Sequence, residues 1–371
     1  GWRRCAAGRA RLSPETVGAE VVTFDQRSED LLATLASQAG IALENALLYD
    51  EIRRIFEGFV RASVQAIEQR DPTTSGHSLR VSVLSVGLAE AVDKTTEGTY
   101  AGNRFLKRDL LELEYASLLH DFGKIGVREE VLVKAKKLYP HELHDIRQRF
   151  DFVLLSLERD ALDEKLRVVT SGGGPAELEA IDARYAAKRL DVEAFWKTVS
   201  DANEPTVLKE GDFSRIDDLG RRTYKDLACA EHPLLTPNEV ISLQVTRGSL
   251  HEKEIDEIRS HVVHTKRFLQ QIPWGKNFTR IPEIAGAHHE KLNGKGYPDG
   301  LLADAIPLTS KIMTIADIFD ALTARDRPYK KAMPTTRALD ILGYEVKDGH
   351  VDGELVKIFT EAQIFKKVEG L

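Results

Sequence analysis

The chain has 371 residues and is 42% hydrophobic, enough for two domains and at least one sizeable core. Its formal charge of −7 argues against a general binder of nucleic-acid polymers or membrane surfaces, tasks usually met by basic proteins. Cys5 and Cys229 lack disulfide or metal spacing, which makes a reducing cytoplasm the expected compartment; no apolar run approaches the roughly 18–20 residues of a membrane span.

The opening GWRRCAAGRARL has neither an initiating Met nor the apolar centre of a signal peptide, so the sequence reads as a fragment. Residues 1–27 contain one strand signal, AEVVTF. From RSEDLLATL to about residue 70 the pattern is one long helix, with Ser28 as the expected cap and Glu29 and Asp30 facing the positive end of the dipole. Leu48, Ile52, Ile55 and Phe59 recur at spacings of 4, 3 and 4, the seam either of a homodimeric coiled coil or of a helix packed on its own domain. Helical patterns follow at 76–93 and 109–121, then through 129–200 with a break at SGGGP, and return at HEKEIDEIRSHVVHTKRFLQQI and PLTSKIMTIADIFDALTA. Breakers crowd 201–250. With strand signals scarce beyond residue 25, the expected class is all-α.

Chemistry concentrates in a few places. ASLLHDFGKIGV ends an apolar helix on His120 and Asp121, with a glycine turn and Lys124 behind them. A His-Asp pair at a helix terminus offers nitrogen and oxygen to one ion, and the second carboxylate oxygen is free to bridge. His77, His261 and the adjacent His288 and His289 lie in comparable settings. Asp317 sits among Ile, Met and Phe, where an ionised carboxylate is costly unless paired or metal-bound. Any one of these histidines alone is better explained by packing; the set is not.

The motifs HDFGKIG, HHEKLNGKGYP and IADIFDALTARDRPYKKA resemble the HD-GYP subgroup of the HD metal-dependent phosphohydrolases, over roughly residues 60–365. LLATLASQAGIALENALLYDEI is similar to the last helix of a GAF sensory domain and its linker. The resemblance implies an HD-type helical bundle at 71–371 with a mainly helical insertion at about 140–248, a linker or coiled-coil helix at 49–70, and a GAF-like remnant at 1–48. It implies hydrolysis of cyclic di-GMP to linear pGpG and GMP on two divalent transition-metal ions. One ion would be held by His77, His120, Asp121 and Asp317; the second by Asp121 as bridge with His261, His288 and His289. Imidazole and carboxylate donors without thiolate suit iron or manganese, with zinc still open, and paired cations lower the pKa of a water and clamp phosphate oxygens. Lys124 would orient that water or bind a phosphate oxygen. Tyr297 would stack a base or bond a phosphate, Arg327 and Lys330 would hold the second phosphate, and Glu290 would orient a histidine. Gly294 and Gly296 would shape the loop that Pro298 closes.

Three departures from the family pattern stand out. No carboxylate directly precedes His77, Glu68 and Asp71 lying further back, which favours two metals over three. His261 also follows His120 at far more than the usual few dozen residues, so a third-histidine choice is needed; His261 is preferred over His141 and His144, with His264 one helical turn away as fallback. Asn293 stands where relatives usually carry aspartate. Hydrolysis of another nucleotide or of cyclic GMP-AMP, and a noncatalytic dinucleotide receptor, are the alternative readings.

Overall fold

The computed structural model describes residues 3–5, 21–23, 25–71, 75–205, 212–276, 278–324 and 333–371. The chain divides into two compact units, Gly1–Ser63 and Val64–Leu371.

In the first unit β1 (Arg3–Cys5) pairs antiparallel with β2 (Val21–Thr23), Arg4 opposite Val22, and α1 (Gln26–Arg70) begins. Asp25 rather than Ser28 caps α1: its Oδ1 accepts from the Ser28 backbone N–H at 2.8 Å. Ser28 lies inside the first turn, because the carboxylate one residue before the helix reaches the orphan amides first. The seam residues Leu48, Ile52, Ile55 and Phe59 are all exposed. By length and composition, α1 is also the one helix among the described residues apolar enough to cross a membrane. Gln38, Glu44 and Asn45 still interrupt any continuous apolar run, so the match to a membrane span is one of average hydropathy over a window.

The second unit is built of helices, in keeping with the all-α expectation. The bundle comprises α2 (His77–Lys94), α3 (Lys107–Leu119), a 3₁₀ turn at Phe122–Gly126, the short α4 (Glu129–Leu132), and later helices that return to it. Val81, Leu84, Leu88 and Val92 of α2 are fully buried, a helical stripe of the kind that drives packing. Leu113, Ala116 and Leu119 of α3 are buried as well.

One lobe of the second unit has its own core. It holds α5 (Pro140–Thr170), α6 (Pro175–Ala202), α7 (Asp212–Arg221), an antiparallel ribbon of β3 (Thr223–Lys225) and β4 (Glu231–Pro233), and α8 (Pro237–Leu243). Ile146, Phe150, Val199, Ile216, Leu219 and Leu243 meet in that core. The two ends of the lobe join at Glu254, which accepts from Lys134 Nζ at 2.7 Å and from the Tyr139 hydroxyl at 2.6 Å.

Glu254 belongs to α9 (Glu252–Leu269), and the chain closes with α10 (Ile281–Gly286), α11 (Leu308–Thr323), α12 (Thr335–Lys347) and α13 (Gly353–Glu361). α11 is apolar on nearly all sides, with Ile312, Met313, Ile315, Ala316 and Phe319 buried. It is the central helix onto which α2 packs.

Candidate metal centre

Five separate segments deliver polar side chains to one buried point. His77 is the first residue of α2, His120 and Asp121 follow α3, His261 lies in the middle of α9, His288 and His289 follow α10, and Asp317 is in α11. The turn after Asp121 lies directly against α9. A methyl group on Gly123 would collide with the His261 carbonyl oxygen, so only glycine lets the His-Asp turn reach its partner helix. Thr265 fastens the same contact, donating to the His120 carbonyl at 2.9 Å and accepting from the Gly123 N–H at 2.8 Å.

The imidazoles form a continuous array. Ring centroids are 5.3 Å apart for His77 and His120, 4.9 Å for His120 and His288, 4.1 Å for His288 and His289, and 5.3 Å for His261 and His289. Asp121 stands between two groups. Its Oδ2 lies 3.5 Å from His120 Nε2 and 3.7 Å from His77 Nε2, while its Oδ1 lies 3.3 Å from His261 Nε2. Asp317 Oδ1 is 3.2 Å from His77 Nε2 and 3.9 Å from His120 Nε2.

The donor chemistry fits metal ions. His120, His261 and His288 each place Nδ1 against the carbonyl three residues earlier, at 2.7, 2.6 and 2.6 Å. A carbonyl only accepts, so Nδ1 must carry the proton, and the Nε2 lone pair points into the cluster. Those three Nε2 atoms are buried and have no hydrogen-bond partner among the described residues. Burying an unsatisfied polar atom is costly, and three aimed at one point are what a set of cation ligands requires. Three groups, His77 with His120 and Asp121, His120 with His288 and Asp317, and His261 with His288 and His289, have donor atoms close enough together to share an ion.

The protonation pattern of the metal-free protein agrees. Burial pushes His288 well below its ordinary value and His289 down to about 4, and neighbouring histidines add to the effect for His288. Burial also lowers His120. Burial opposes the charge on Asp121, but Lys124 and the surrounding histidines hold its carboxyl well below the usual range. His77 is the exception. Burial disfavours its charge, yet hydrogen bonds to Asp317 and Asp320 raise it to about 9.

Other predicted residues fall as follows. Lys124 Nζ lies 3.0 Å from both Asp121 Oδ2 and Asp71 Oδ2, so its charge is first spent on two carboxylates. Of the other third-histidine candidates, His141 stacks on Tyr139, His144 bonds Gln148, and the His264 ring faces Gly126. Tyr297 stacks on His289 with centroids 4.8 Å apart. Gly294 has a φ of +74°, and a methyl on Gly296 would strike the Glu290–Lys291 backbone; the Tyr297–Pro298 peptide is cis. Glu290 does not orient a histidine. Its carboxylate accepts from the N–H groups of Asp299, Gly300 and Leu301 at 2.7, 3.1 and 2.8 Å, while the His288 ring already donates to the Ala285 carbonyl. Asn293 donates to the Asp348 carbonyl at 3.0 Å and accepts from the Lys295 N–H, a pair of roles a carboxylate cannot play. Arg327 and Lys330 lie outside the described residues.

Asp320 and Arg80 were missed by sequence reasoning. Asp320 Oδ2 accepts from His77 Nδ1 at 2.8 Å, and Arg80 Nε and Nη2 grip the two carboxylate oxygens at 2.7 and 3.1 Å. The only sequence signal was spacing: Asp320 lies one turn after Asp317, and Arg80 one turn after His77.

Two family models, both described as HD domain, match residues 74–189 and 213–355. The first takes in His77, His120 and Asp121, the second His261, His288, His289 and Asp317. Among curated proteins, the chain is similar to 3'3'-cGAMP-specific phosphodiesterase 3 of Vibrio cholerae serotype O1, 45% identical over 95 residues, 26% of this chain and 20% of that protein. It is also similar to 3'3'-cGAMP-specific phosphodiesterase 1 of the same organism, 38% identical over 127 residues, 34% of this chain and 28% of that protein. The cyclic di-GMP phosphodiesterase response regulator RpfG of Xanthomonas campestris is 52% identical over 59 residues, 16% of this chain and 15% of that protein. The chain thus matches less than a third of the length of each of these relatives.

Proposed function

We propose, from the two HD-domain matches and the motifs they contain, that the chain carries an HD domain of the HD-GYP type and hydrolyses a phosphodiester bond of a cyclic dinucleotide, cyclic di-GMP first, to the linear dinucleotide and further to GMP. The observation that carries this reading is the placement of Asp121, whose two oxygens face different histidine groups as a bridging carboxylate would. His77, His120, Asp121 and Asp317 would hold one divalent cation, and Asp121, His261, His288 and His289 a second; the donor set favours iron or manganese. When bound, such a pair supplies a water of lowered pKa and positive charge for the phosphate oxygens.

The remaining work falls to the protein. Asp320 fixes the His77 ring so that Nε2 faces inward, and the carbonyls of Ser117, Ile258 and Ala285 do the same for the other rings. Lys124 keeps Asp121 ionised and places a fixed positive charge beside the reacting phosphate, where charge builds in the transition state. Tyr297, stacked on His289, is proposed to bond a phosphate oxygen through its hydroxyl. Arg327 and Lys330 are proposed for the second phosphate. The exposed seam of α1 supports a homodimeric relay from a GAF-like sensory domain.

The test is purification with native metals or anaerobic loading with iron or manganese, followed by chromatography of cyclic di-GMP digests and elemental analysis. Wild type should turn over substrate and lose activity with its metal under chelation. His120→Ala and Asp121→Ala should lose both. Full metal content and turnover in either variant would refute the assignment.

A further inference from the structure

A cyclic dinucleotide is a macrocycle with two phosphates held apart. With one phosphate at the metal centre, the other lies towards the mouth, where cations among the described residues can add to the proposed Arg327 and Lys330. Lys124 is engaged by Asp71 and Asp121, and Lys266 by Asp299 at 2.9 Å. Arg259 is differently placed. Its guanidinium carbon lies 5.5 Å from the centre of the Tyr297 ring, whose own nearest stacking partner is His289. His289, Tyr297 and Arg259 therefore form a layered path from the buried centre to solvent. Arg259 pairs with Asp256 at 3.3 Å, and both side chains are more than half exposed. Such a pair is screened by water and contributes little, so the guanidinium gives up little on turning to a better anion.

We infer that Arg259, seated on Tyr297, is a further anion-binding position at the mouth of the metal centre, and that it contacts, alongside the Arg327 and Lys330 proposed above, the cyclic dinucleotide phosphate not being cleaved. The inference rests on the cyclic dinucleotide reading above. A forked guanidinium can donate two parallel hydrogen bonds to a phosphate, while its face stays on the tyrosine ring. The position thereby selects ligands with two phosphates over those with one. Its location on α9, two residues before His261, ties that selection to a helix that also supplies a metal ligand.

The experiment is calorimetry on metal-loaded protein with a nonhydrolysable phosphorothioate cyclic di-GMP and with 3',5'-cyclic GMP, which has one phosphate. Arg259→Ala should lower the ratio of the two affinities about tenfold, the scale of one charge-assisted contact. Arg259→Lys should recover part of that ratio but not all, because the fork is lost. The difference should shrink at about 0.5 M salt, as a mouth-exposed charge requires. A ratio within twofold of wild type, an equal loss for both ligands, or a loss of bound metal in Arg259→Ala would each overturn the role. If wild type binds no cyclic dinucleotide, the substrate reading itself falls; if wild type binds and Arg259→Ala binds equally, only the Arg259 position falls.

Discussion

Asp320→Asn isolates the second layer of the metal centre. In the wild type, Asp320 Oδ2 accepts from both His77 Nδ1 and Arg80 Nη2, whereas Oδ1 accepts from Arg80 Nε alone. The asparagine amide nitrogen will therefore settle at the Oδ1 position, where it displaces one acceptor rather than two. His77 keeps its hydrogen bond, now to a neutral carbonyl. Removing the charge behind a metal-ligating imidazole lowers metal affinity by about 10–100-fold, or about 1.4–2.8 kcal/mol. Arg80 loses one charge-assisted bond in a buried site, costing about 1.5–3 kcal/mol of folding stability. Chelator-competition titration with manganese measures the first effect, and urea unfolding of the metal-free protein the second. Metal affinity within threefold of wild type would show that Asp320 does not act through His77. The shape is preserved, so simple misfolding would not explain a selective loss of affinity.

Three further expectations rest on charge and hydrogen bonding. His77 is raised to about 9 in the metal-free protein while His120, His288 and His289 are lowered; near pH 7.5, metal uptake should therefore displace about one proton from these four rings, measured by calorimetry in two buffers of different ionisation enthalpy. Because folding raises the His77 pKa from 6.5 to about 9, its share of metal-free stability is complete below about pH 6.5 and disappears as pH rises through about 9. A metal-free stability that instead climbs across that window through His77, judged against His77→Gln, would contradict the assignment. Glu290→Gln should weaken the clamp on the 299–301 loop by about 1–3 kcal/mol while metal affinity changes less than threefold; a tenfold fall in affinity would restore the role of orienting a histidine.

How much was legible in the sequence depends on how local each interaction is. The HDFGKIG and HHEKLNGKGYP stretches carried their own signal, because a glycine turn behind a His-Asp pair and two adjacent histidines are uncommon without a shared purpose. Helical periodicity was equally plain, as burial of α2 and α11 follows directly from their apolar residues. The partners of Glu290 were not legible: a glutamate beside two histidines suggested a ring, and only the fold of the loop brought three amides to its carboxylate. The cap of α1 moved from Ser28 to Asp25 because both residue types cap well and only geometry chooses between them.

The sequence by itself determined the kinds of donor, their number and the helices that bear them, since residue type and periodicity are properties of the chain. The tertiary structure alone decided the partnerships across long stretches of chain: His261 rather than His264 faces Asp121, and Asp320 stands behind His77 with Arg80 behind it. Those pairings arise where packed helices cross. Burial there makes every unsatisfied polar atom expensive, so the fold selects partners that no local pattern records.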